Sequence, residues 1–123
     1  MAKRPSHDNH HVMNYRREWT LRPQAEAIRE NPWLIAPIDR DVHDELHIQC
    51  PPVPLLGYHA LLRVASDFQP RPGDHLGSMD ELIKTIDRAI QHPKTKPIEA
   101  ELGMLTMRAV ELQKPFIRQG LVA

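Results

Sequence analysis

Two histidine pairs carry the residue types best suited to chemistry in this chain. His10 and His11 stand side by side in DNHHVMNYRREW, and His43 and His47 stand four apart in VHDELH. Imidazole changes protonation near neutral pH, and its neutral form is a nitrogen ligand suited to zinc, nickel or cobalt. Histidines at i and i+4 of a helix leave the same face about one turn apart, the spacing that offers two ligands to one ion. A zinc-protease helix needs glutamate directly after its first histidine. Here Asp44 takes that place and Glu45 follows, so the pair needs partners from elsewhere in the chain. Arg16 and Arg17, just beyond the first pair, are either phosphate contacts or a solvated arginine pair. The other histidines, His7, His59, His75 and His92, have no matching partner and read as surface or local hydrogen-bonding groups, with His59 the strongest exception.

Positioning these residues requires a set of elements, and the prolines mark their limits. Residues 1 to 9 are polar and read as flexible. Residues 10 to 21, with Val12, Tyr15, Trp19 and Thr20, suit a short strand or hairpin limb. Residues 24 to 30 suit one or two helical turns ended by Asn31-Pro32, and WLIAPI suits a second strand. With Asp39 or Asp41 as N-cap, RDVHDELHIQ predicts a helix that Pro51-Pro52 closes.

Farther along, PLLGYHALLRVASDF is amphipathic and RPGDHLGS reads as a loop. SMDELIKTIDRAIQH opens on a capping-box pattern of Ser78 and Glu81. The last segment begins with Pro97 at a first helical position and runs to Lys114, where Pro115 stops or kinks it. Trp19 and Trp33 are expected as core anchors rather than base-stacking platforms, and Cys50 as a half-buried thiol. The expected fold class is α+β, mainly α: a short N-terminal β-hairpin plus helix, followed by a bundle of about three helices. With 123 residues, a single domain is expected, divided into a strand-strand-helix motif over 10–50 and a helical part over 53–123.

Composition narrows the function classes. Lys plus Arg and Asp plus Glu both number 16, so bulk positive charge cannot hold nucleic acid, and any such contact must be local. The lone Cys50 excludes an intrachain disulfide and a Cys-rich zinc knuckle, which makes a cytoplasmic setting the expectation. No stretch approaches the ~18 apolar residues of a membrane span, so a soluble chain is expected.

The combination of a His-His pair on a strand with LIAPIDRDVHDELH running from a strand into a helix resembles the HNH, or ββα-metal, nuclease family, including colicin-type DNases and bacterial toxin nucleases. The resemblance covers residues 10 to 47. It implies that His10, His43 and His47 are metal ligands and that His11 is the general base of a metal-dependent endonuclease acting on DNA. The cofactor it implies is one divalent ion: zinc, nickel, manganese or magnesium. Such nucleases occur in the small single-domain form that bacterial toxins and phage genes use, which would place this one in a bacterial host cytosol. The family's orienting asparagine sits nine residues before the first helix ligand. That position here is Leu34, and Asn31 lies three residues earlier, so either Asn31 reaches round or the orienting group is absent. A second reading stays open: a catalytically inactive protein with a structural histidine metal site that binds a host or partner protein through its helical region.

Overall fold

The computed structural model describes residues 6–13, 23–54 and 58–122. Strand β1 (His7–His11) pairs antiparallel with β2 (Ile35–Asp39), and helix α1 (Pro23–Arg29) and a single 3-10 turn (Pro32–Leu34) lie between them in sequence. Helices α2 (Arg40–Gln49), α3 (Tyr58–Asp67), α4 (His75–Gln91) and α5 (Pro97–Gly120) follow. The fold is therefore α+β and mainly α, a two-stranded hairpin followed by helices. Among the described residues, no helix is long and apolar enough to cross a membrane.

The hairpin register runs from His7 opposite Asp39 to His11 opposite Ile35. It is extended at one end by Val12 N–H donating to Leu34 O and at the other by Arg40 N–H donating to Ser6 O. Even-numbered residues of β2 therefore bond to β1, and odd-numbered ones turn their backbone the other way. Pro37 is odd-numbered, so its missing N–H falls on the edge away from β1, where a proline is tolerated. On that edge Val122 N–H donates to Pro37 O, and Leu121 bridges Ile38.

On β2 the side chains of one face are apolar. Leu34, Ala36 and Ile38 are buried and join Leu46, Met79, Leu82, Ile86 and Ile117 in one core cluster. Burial of large side chains of this kind is the main stabilising term, at about 1.5–3 kcal/mol each. Glu99, itself buried near the start of α5, fastens that helix to α3 by accepting from Ala60 N–H at 3.2 Å. Trp33 is half-buried, its ring 6.0 Å from that of His75, and Cys50 is buried with Sγ 3.4 Å from Leu112 O.

Four details differ from the sequence-based expectations. The first strand begins at His7, inside the segment expected to be flexible, because its backbone pairs with residues through Asp39. It ends at His11, and residues 14–21 of the expected hairpin limb, with Arg16, Arg17 and Trp19, lie outside the described residues. Helix α4 starts three residues before Ser78. Its cap is Asp74, whose Oδ1 accepts from Gly77 N–H at 2.8 Å, while buried Ser78 exchanges hydrogen bonds with the backbone of Arg71. Finally, α5 continues through Pro115 to Gly120. The turn beyond that proline is held by tertiary contacts, with Ile117 buried in the core and Gly120 against Val42.

Candidate metal centre

Period-two alternation places Asp8, His10 and Val12 on one side of β1. His10 is opposite Ala36, whose small side chain leaves room for an imidazole that is only 1% exposed. Helix α2 packs against both strands and starts where β2 ends. Asp39 caps it, with Oδ2 accepting from Asp41 N–H at 3.1 Å and Val42 N–H at 3.3 Å. A carboxylate at that position satisfies free amides and complements the helix dipole. Because the cap fixes where the helix begins, it also fixes the azimuth of its side chains. His43 and His47, one turn apart, come down over His10.

Three ring nitrogens meet there. His43 Nε2 lies 3.1 Å from His10 Nδ1 and 2.8 Å from His47 Nε2, and one ligand atom from each of the three rings lies within 4.8 Å of the others. Four-coordinate ligands at zinc-nitrogen distances stand about 3.3 Å from one another, so this spacing suits a single ion.

Hydrogen bonds behind the rings decide which nitrogens carry protons. The amide of Gln113, buried on α5, donates through Nε2 to Val12 O at 3.1 Å, so its Oε1 faces His10. His10 Nε2–H therefore donates to Gln113 Oε1 at 2.7 Å, which leaves a lone pair on Nδ1. On the other side, His43 Nδ1–H donates to the Asp8 carboxylate at 2.9 Å, which leaves a lone pair on Nε2. When both rings are neutral, two lone pairs point at each other across 3.1 Å. Without a positive centre between them that approach is repulsive. With one, it is the arrangement of a histidine ligand set oriented from behind by an amide and a carboxylate.

Electrostatics act in the same direction. Burial pushes the His10 pKa down from 6.5 to about 4, assisted by His43 and His47 and opposed by the Gln113 hydrogen bond. Burial and the nearby His43 also lower that of His47, against the pull of Asp44. Both rings are held in the neutral form that a metal requires. His47 is exposed and His43 half-buried, so the cluster is closed on the side of His10 and opens to solvent at His47.

His11 stands apart from these three. The strand is regular through residues 10 and 11, so His11 is on the other side of the hairpin. Its side chain is 35% exposed, with Nε2 4.0 Å from Glu30 Oε2. A base beside the ion would need a local irregularity that brings both rings to one site, and the described register has none. Neither candidate for an orienting group addresses His11. Asn31 Oδ1 accepts from Trp33 N–H at 2.9 Å, and buried Leu34 has its carbonyl engaged by Val12 N–H. Compared with protein-family models, with curated proteins and with solved structures, the chain matches none.

Proposed function

We propose that this protein is a metal-dependent HNH-like nuclease acting on DNA phosphodiesters, in which His10, His43 and His47 hold one divalent transition-metal ion. His11, the base that the resemblance implies, faces the other side of the hairpin in the described register and would reach a phosphate at that ion only after the end of β1 rearranges. The observation that carries the metal assignment is the convergence of three rings, one ligand nitrogen from each of His10, His43 and His47 lying within 4.8 Å of the others, with Gln113 and Asp8 engaging the far nitrogens of two of them. Three imidazoles favour zinc, nickel or cobalt over magnesium. A bound ion would supply Lewis acidity toward a phosphate and its leaving oxygen. The chain's own part is to hold the three rings in place. Glu30 Oε2 lies 4.0 Å from His11 Nε2, beyond hydrogen-bond distance. The lone thiol Cys50 fits a reducing compartment, and a cytoplasmic location is proposed with this activity.

The position of His11 favours a second reading, in which the ion is structural and the helical region binds another protein. Two measurements separate them: the metal content of purified protein, and nicking of supercoiled plasmid with zinc, nickel, manganese or magnesium. The nuclease reading expects one ion per chain, lost in His43→Ala. It also expects metal-dependent nicking that His11→Ala abolishes while metal content is kept. One tightly bound ion with no nicking under any of the four metals would leave the structural reading standing. No bound ion would overturn both.

A further inference from the structure

The longest helix carries an apolar stripe that the rest of the fold does not cover. On α5, Ile98, Leu105 and Leu112 recur every seven residues and are 59%, 49% and 42% exposed. Such spacing keeps side chains along one side of a helix, the pattern by which helices pair. Beside Leu105 and Leu112, a groove of about 340 Å³ is walled by Pro51, Pro52 and Pro54. Between the apolar positions stand two exposed charges of opposite sign, Glu101 four residues before Leu105 and Arg108 three residues after it. Neither makes an ion pair or side-chain hydrogen bond with any described residue.

We propose that this stripe is a homodimer interface in which α5 of one copy lies antiparallel on α5 of a second, with the two-fold axis passing near Leu105. The order of residues along the stripe argues for this occupant. A two-fold axis at Leu105 sets Ile98 of each copy beside Leu112 of the other, which fills the proline-walled groove with the second copy's Ile98 and Leu105. The same operation sets Glu101 beside the other copy's Arg108, twice. A two-fold interface must be complementary to itself, and opposite charges disposed about an apolar centre meet that condition. A parallel pairing would instead stack Glu101 on Glu101 and Arg108 on Arg108.

The test is sedimentation or light scattering of the full chain from about 1 to 100 µM, with and without added zinc. The dimer uses none of the histidines, so failure here and failure of the metal reading are distinguishable. Wild-type chain should become a dimer over that range, and Leu105→Glu should stay monomeric with an unchanged circular dichroism spectrum. Glu101→Arg and Arg108→Glu should each weaken dimerisation at least ~tenfold, and the double reversal should restore it. Should Leu105→Glu misfold, the charge-reversal set alone decides. A wild-type monomer at 100 µM would overturn the proposal and turn the face toward a different protein. A dimer that survives Leu105→Glu, or a double reversal no better than either single one, would overturn the antiparallel arrangement.

Discussion

Gln113 is a neutral amide that reaches both ends of the candidate site's scaffold, accepting from His10 and donating to the backbone of Val12. Replacing it with leucine leaves a buried imidazole N–H and a buried carbonyl without partners, at about 1–3 kcal/mol for each group left unpaired. It also releases the His10 tautomer, and loss of such an orienting partner typically lowers metal affinity about 10–100-fold. Gln113→Leu should therefore be less stable in urea and bind zinc more weakly in a competition titration. Unchanged zinc affinity in a folded variant would show that the amide does not orient the ligand. Part of this arrangement was legible beforehand. The H-x3-H spacing places His43 and His47 on one helix face, and a ligand from the first His pair follows from the resemblance. Asp8 carried a usable signal, since two residues before His10 on a strand means the same face. Gln113 carried none, because it lies 103 residues from His10 and its role exists only after α5 docks.

The helices hold the histidines in register, and α2 is fixed at two points. Asp39 caps its first turn, and Val42 sits against Gly120 of α5, where a Cβ would come within 2.7 Å of Val42 Cγ1. Gly120→Ala must push one helix off the other, at roughly 1–3 kcal/mol for an overpacked contact. The expected result is a lower urea midpoint together with weaker zinc binding, since moving α2 moves two of the three rings relative to the third. A variant as stable as the parent would mean that the two helices do not pack this closely in solution. The cap was readable as Asp39 or Asp41, acids standing where a strand's alternation gives way to helical spacing, and the structure uses Asp39. The start of α4 was misread for a comparable reason. Ser78 and Glu81 match the capping-box pattern, yet Asp74 caps four residues earlier and Ser78 is drawn inward by Arg71. Local pattern offered two starts, and tertiary packing selected between them. Pro115 predicts a stop or a kink, and of the two the stop does not occur, since the core contacts of Ile117 hold the turn beyond it.

Across the whole molecule, the buried His10 makes stability depend on pH. Its pKa lies near 4 in the folded chain and near 6.5 when exposed, so between these values the unfolded state holds more protons and is favoured as pH falls. Metal-free protein should show a denaturation midpoint that is flat above about pH 7 and declines from pH 6.5 toward 4, with His10 contributing about 3 kcal/mol to the drop. Urea titrations at pH 7.5, 6 and 5 check this, and equal stability at all three would place His10 in solvent. The link between His10 and Gln113 also has a consequence in time. At translation rates of about 5–20 residues per second, roughly 5–20 s separate the synthesis of His10 from that of the amide which fixes it. Throughout that interval His10 belongs to an unfinished chain, with the proton affinity of an ordinary histidine and no preferred tautomer. An ion arriving early meets His43 and His47 together with a His10 not yet held by its amide, so the oriented ligand set is complete only after the last helix docks.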